Sequence, residues 1–435
     1  MLRAAFQNLI QWKSGSKRTP LVIQGARQVG KTWLMKEFGR HQFKNYAYIN
    51  FDDNQRMQRL FSQDMNPKRL LEGLILESEV EIDPENTLII FDEIQECPQA
   101  LKSLKYFNEE APEYAIVAAG SLLGVALHKN TSFPVGKVSF LHLYPLSFSE
   151  FLKALDQKRL LRLLEDSNWD MITTFKDKYI QLLREYYYVG GMPEAVSAYS
   201  EKRDFDQARD IQQRLLLSYE QDFSKHAPHA IVPRLRAIWN SIPSQLAKEN
   251  KKFIYGLIRN GARAKEYELA LTWLIDCGLV HKVARINKPT IPLNAYEDLK
   301  AFKLFMLDTG LLGAMCNLNK KILLEQLGPF EEFKGALSEQ YVCQELIAQC
   351  KVKPYYWTAS HANAEIDFIV QATNGIIPLE VKASINLKAK SLKSYRDKFN
   401  PALSLRLSMC DYEINKQLIN FPLYATPTLN KALNS

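Results

Sequence analysis

Leu21-Val22-Ile23-Gln24-Gly25-Ala26-Arg27-Gln28-Val29-Gly30-Lys31-Thr32 is a short apolar run leading into G-x-x-x-x-G-K-T. The helix-patterned Trp33-Leu34-Met35-Lys36-Glu37-Phe38 follows directly. Strand, glycine loop and helix, in that order, are the parts a phosphate cradle needs. The glycines let the backbone curl so that successive N–H groups face phosphate oxygens. The positive end of the next helix adds to the anion site. On this reading Gly25, Ala26, Arg27, Gln28, Val29, Gly30, Lys31 and Thr32 bind ATP. Lys31 reaches the β- and γ-phosphates, and the Thr32 hydroxyl binds Mg²⁺.

The second half of such a site is legible downstream. Leu88-Ile89-Ile90-Phe91-Asp92-Glu93 is an apolar run ending in two carboxylates. A run of this kind suits a strand buried on both faces of a parallel sheet, with Asp92 at its carboxyl end, where ligands bind. Asp92 is expected to hold the Mg²⁺ through water and Glu93 to orient the attacking water. Tyr114-Ala115-Ile116-Val117-Ala118-Ala119-Gly120-Ser121 reads as another buried strand. Ser121 at its end is a candidate γ-phosphate sensor or a helix N-cap. These stretches predict an α/β fold, with a P-loop parallel sheet over residues 1–150.

Composition narrows the class. The 435 residues are 46% hydrophobic and 24% charged, ordinary for a globular protein of two to four domains. The polar, amphipathic start is not read as a signal peptide. The longest apolar stretch, Ala115 to Leu127, is interrupted by Gly120, Ser121 and Gly124 and is too short to span a bilayer. No membrane role is expected. Six scattered cysteines without C-x-x-C suggest neither zinc nor a disulfide framework, so a reducing cytoplasm is the expected setting. Residues 1–150 hold 17 Lys+Arg and 17 Asp+Glu, so the net charge of +8 resides in the remainder. A polyanion partner would therefore be met by the C-terminal two thirds.

The rest of the chain divides by pattern. Residues 151–235 read as a helical lid, interrupted by Tyr186-Tyr187-Tyr188-Val189-Gly190-Gly191-Met192-Pro193-Glu194. The tyrosines are expected to pack against the ATPase core, base stacking being the alternative. Residues 236–300 read as a winged helix: a helix ending near Leu246, an apolar-periodic Lys252 to Ile258, a helix Ala264 to Cys277, then a wing strand. The excess of nine Lys/Arg over four acids in 245–290 fits DNA in a groove or a protein-docking surface.

Residues 301–435 carry a second constellation. A helix from Gly335 to Ala348 contains Glu339. Ala364-Glu365-Ile366-Asp367-Phe368-Ile369-Val370 and Ile376-Ile377-Pro378-Leu379-Glu380-Val381-Lys382 flank Thr373-Asn374-Gly375, a hairpin signature. Glu380 and Lys382 are two apart on one strand and share a face, with Asp367 opposite. Asp367, Glu380 and Glu339 are candidate ligands of Mg²⁺ or Mn²⁺, and Lys382 a stabiliser of the attacking water and transition-state charge. Six Lys/Arg over residues 382–398, Lys388 among them, could follow a phosphate backbone. A surface hairpin bearing a salt bridge is the alternative.

Taken together, these passages resemble a family of prokaryotic ATPases with an AAA-like P-loop domain and a C-terminal DUF4143 domain. Val189-Gly190-Gly191-Met192-Pro193-Glu194-Ala195 and Leu307-Asp308-Thr309-Gly310-Leu311-Leu312 belong to the same resemblance. It implies an ATP-binding protein whose last domain is similar to PD-(D/E)xK restriction-endonuclease folds. That fold's acids and lysine map onto Asp367, Glu380 and Lys382, and its helix acid onto Glu339. The expected function is ATP hydrolysis coupled to DNA binding, with metal-dependent cleavage under ATP control. The alternative is a nucleotide-dependent switch or scaffold, homo-oligomeric or bound to a protein partner, whose nuclease-like domain only binds.

Overall fold

The computed structural model describes residues 3–121, 136–248, 251–325, 331–359, 364–383 and 390–434. The chain forms two compact units, one of residues 2–144 with 276–278, the other of 145–275 with 279–435.

The first unit is built on β1 (Leu21–Gln24), β2 (Asn45–Asn50), β3 (Thr87–Asp92), β4 (Ala115–Gly120) and β5 (Ser139–His142). All pair in parallel in the order β2-β3-β4-β1-β5. β3 and β4 are buried along their whole length, as their unbroken apolar runs predict. Phe51, Phe61 and Phe91 meet edge to face at 5.4–5.8 Å between ring centres, within a core that includes Leu70, Leu74, Leu104 and Ile116. The position of β4 between β1 and β3 brings three strand ends side by side. The P-loop leaves β1, Asp92 ends β3 and Ser121 follows β4.

The second unit opens with helices and continues into β6 (Val280–Ile286), β7 (Glu297–Met306), β8 (Tyr355–Thr358), β9 (Glu365–Ala372), β10 (Gly375–Val381), β11 (Ser404–Ser408), β12 (Glu413–Asn415) and β13 (Leu418–Pro422). They make one mixed sheet, β12-β13-β11-β10-β9-β8-β6-β7. The expected β9–β10 hairpin is present, with Ala372 opposite Gly375.

Two expectations are corrected here. The boundary at 300/301 falls inside β7, and β6 pairs with β8, so the wing hairpin is part of the large sheet. Lys252 to Ile258 holds only a 3-10 turn, Tyr255–Leu257, because Ile254 is extended and Phe253 donates its N–H to Phe302 O at 2.8 Å. Tyr186 and Tyr187 pack inside their own unit, on Tyr341, and Tyr188 meets Phe205.

The glycine turn between helices has a steric reason. Gly190 sits at φ 71°, and a Cβ there would lie 2.2 Å from Asp308 Oδ1. A Cβ on Gly191 would lie 2.1 Å from Leu146 O. The buried Asp308 carboxylate accepts from Gly191 N at 2.6 Å and Leu311 N at 2.9 Å, so the two motifs of the resemblance form one joint. The helix Glu331–Ala348 is fixed to this region by buried polar side chains. Gln344 bonds Tyr186 and Thr309, and Glu345 accepts from Phe148 N at 2.8 Å.

Candidate functional sites

In the first unit the P-loop is held open from below. Val29 is buried, and Arg3 donates to Val29 O at 2.8 Å and to Tyr144 O at 2.6 Å. Gly25 is required because a Cβ would lie 2.2 Å from Leu143 O on the neighbouring chain segment. Gly30 and Gln28 take positive φ, curling the loop ahead of the helix Lys31–Gln42. Lys31 is buried and donates to Gly25 O at 2.9 Å and Ala26 O at 2.8 Å. Burial lowers its ammonium pKa to about 8, with Glu93 and Asp92 pulling the other way. Both loop carbonyls therefore hold the lysine where an anion would take it over.

Across from the loop, Thr32 donates its hydroxyl to Asp92 Oδ2 at 2.7 Å. Tyr48 on β2 donates to the same oxygen at 2.9 Å. Glu93 lies in the left-handed region at φ 48°, which turns it off the strand axis. Its Oε2 accepts from Gln95 Nε2 at 2.6 Å and Ser121 Oγ at 3.2 Å. The sequence thus places Thr32, Asp92, Glu93 and Ser121 in one connected network. Arg3, Tyr48 and Gln95 were not foreseen. A tyrosine in an alternating strand and a glutamine beyond Glu93 carry no motif.

In the second unit Asp367, Glu380, Lys382 and Glu339 are likewise brought into one cluster. Val381 N donates to Asp367 Oδ2 at 2.8 Å, and Lys382 Nζ lies 2.7 Å from Glu380 Oε1. Burial drives the Asp367 carboxyl pKa well above its ordinary value, and the neighbouring Glu339 and Glu380 push it further. Two unforeseen lysines complete the cluster. Lys251 Nζ lies 2.6 Å from Glu339 Oε1. The fully buried Lys303, on β7, lies 2.6 Å from Glu365 Oε1 and 3.5 Å from Glu339 Oε2. A signal for Lys303 existed: it interrupts Ala301-Phe302-Lys303-Leu304-Phe305-Met306-Leu307, and a lysine inside a buried strand needs a carboxylate. Among the described residues no group of three acid, His or Cys side chains is arranged to hold a metal ion. The expected metal set does not fit this arrangement.

Below the same sheet, the helix Lys390–Phe399 buries Leu392 and Tyr395. Its other face presents Lys390, Lys393, Ser394, Asp397 and Lys398 along an open groove of about 470 Å³. Lys388 lies outside the described residues.

The first unit defines a P-loop ATPase, in which β4 inserted between β1 and β3 aligns loop, acid pair and Ser121. Protein-family models agree. Residues 17–152 match the AAA domain model, residues 180–322 a domain of unknown function, DUF8612, and residues 334–425 the DUF4143 domain of unknown function. The chain therefore joins an AAA-type ATPase domain to a C-terminal DUF4143 domain. No curated protein matches it in sequence. Solved structures similar to it include the Walker-type ATPase of Pyrococcus abyssi, at 15% identity and TM-score 0.44, covering 72% of this chain and 94% of that one. The Aeropyrum pernix ORC1 protein in complex with DNA matches at 12% identity and TM-score 0.28, covering 75% and 95%. Cdc6p from Pyrobaculum aerophilum matches at 13% identity and TM-score 0.26, covering 74% and 96%. Among the described residues no helix is long and apolar enough to cross a membrane.

Proposed function

We propose that this ATPase is a nucleotide-driven switch that engages DNA through the basic face of its last domain. The observation that carries the reading is the exposed lysine row on the helix Lys390–Phe399, three ammonium groups along one groove with a single acid among them. Ammonium groups of this kind meet phosphates as point charges and carry no base-edge readout, so binding is expected to be salt-dependent and weakly sequence-specific.

The ATP site supplies the drive. The paired oxygens of Thr32 and Asp92 suit an Mg²⁺ that would arrive with ATP and neutralise developing charge on the phosphate oxygens. Lys31 leaves its loop carbonyls for the phosphates. Glu93 orients the attacking water once Gln95 and Ser121 release it, and Ser121 reads the γ-phosphate. Cleavage by Asp367, Glu380 and Lys382 is not included, because the ammonium groups of Lys382 on Glu380 and of Lys251 and Lys303 on Glu339 weigh against a metal there.

The test is anisotropy of a labelled duplex with the full chain, with and without ATP, over a salt series. The Glu93→Gln variant should keep its affinity for ATP while turnover falls by about 100-fold or more. It should hold the ATP-bound level of DNA binding. Lys393→Glu with Lys398→Glu should weaken DNA binding by about tenfold or more and lower the salt slope. If duplex binding is absent, or is the same in this double variant, the DNA reading fails. A protein partner would then be sought for the switch.

A further inference from the structure

Metal-dependent phosphodiester hydrolysis needs carboxylates that are free to share a divalent ion. Glu339, Glu365, Asp367 and Glu380 are carboxylates of the right kind, but each ion-paired one already faces an ammonium. Lys251 takes Glu339, Lys303 takes Glu365 and the second oxygen of Glu339, and Lys382 takes Glu380. Lys303 reaches it from β7, outside the hairpin that carries Asp367 and Glu380, and is 0% exposed. A divalent ion placed among these groups would sit beside a buried ammonium that cannot retreat to water. That repulsion is screened little in a buried site.

We propose that Lys303, paired with Glu339 and Glu365, is the resident cation of this cluster, so that the domain is held together without metal. The ammonium does structurally what a metal does elsewhere: it ties the helix acid, Glu339, to the strand acid, Glu365. It does not activate water, and the domain is a binding module built on a hydrolytic frame. Glu339 Oε2 faces Lys303 at 3.5 Å and has no hydrogen-bond partner among the described residues, so removal of Lys303 would leave that oxygen open to an incoming ion. This inference does not depend on DNA binding by the lysine row.

The test is Mn²⁺ binding to the nucleotide-free full chain, read by the electron paramagnetic resonance signal of free Mn²⁺. Wild type, Asp367→Asn, Lys303→Met and the double variant are compared. The Thr32–Asp92 region is common to all four and cancels. Wild type and Asp367→Asn should bind Mn²⁺ alike. Lys303→Met should gain one site at least tenfold tighter than any in wild type, and the double variant should lose it. A wild-type site that disappears in Asp367→Asn would overturn the proposal, as would a folded Lys303→Met that gains nothing. Should Lys303→Met fail to fold, the comparison of wild type with Asp367→Asn still decides.

Discussion

Glu345→Gln is a substitution that should make the protein more stable, and by an amount that depends on pH. Glu345 is fully buried on the helix Glu331–Ala348. One carboxyl oxygen accepts from Phe148 N at 2.8 Å, and the other has no hydrogen-bond partner among the described residues. Burial, reinforced by the nearby Glu150, raises its pKa from 4.5 to about 8. Because the folded value lies above the unfolded one, its contribution is complete below pH 4.5 and is lost as pH rises through 8. At pH 7 the folded chain must hold a proton that the unfolded carboxylate releases, at a cost of about 3 kcal/mol. Glutamine keeps the acceptor for Phe148 N and needs no proton. For a unit of this size the gain corresponds to roughly 5 °C in Tm. Thermal unfolding followed by near-ultraviolet dichroism from pH 5 to pH 8 should show the gap widening by about 1.4 kcal/mol per pH unit. A Glu345→Gln protein less stable than wild type at pH 7, or a gap that does not shrink toward pH 5, would refute a neutral Glu345.

Two further expectations concern the glycine joint and the P-loop. Gly191→Ala should destabilise its unit by about 3 kcal/mol or more, since the new methyl meets backbone that cannot move aside. Gly335→Ala, in a helix with nothing within 4 Å of the new atom, should be neutral or stabilising by up to about 1 kcal/mol. Denaturant midpoints that rank the two the other way would dismiss the steric account. ATP binding should be accompanied by proton uptake as pH rises past 8, because Lys31 is buried with a lowered pKa before phosphates arrive. Calorimetry in buffers of differing ionisation enthalpy measures this, and no buffer dependence at pH 8.5 would count against it.

What the sequence reveals follows how locally each feature is encoded. The P-loop, β3 with its acid pair, and the strand before Ser121 are each written in consecutive residues, and all were legible. So was the β9–β10 hairpin, because its turn lies between two apolar runs. The extent of the second sheet was not. β6 meets β8 only through Arg285–Tyr356 and Ile286–Trp357, a pairing some 70 residues apart that no local pattern encodes. For the same reason the acid cluster was read as half of itself: the residues within one hairpin and helix were found, while Lys251 and Lys303 arrive from distant segments. The tyrosines were expected to pack against the ATPase core, but the partner of Tyr186 and Tyr187, Tyr341, lies about 150 residues on in their own unit.

The pairing of β6 with β8 also bears on how such a chain can be cut and inherited. The stretch matching DUF8612 ends at residue 322 and that matching DUF4143 begins at 334, a tempting place to divide them. Yet the hydrogen-bonded sheet runs across that seam, and Lys303 lies on one side of it with Glu339 and Glu365 on the other. A fragment starting near 334 would bare the edge of β8 and strand two acids without their counter-ion, inviting edge-to-edge association. The two segments can be named separately, but they share one sheet and one set of ion pairs.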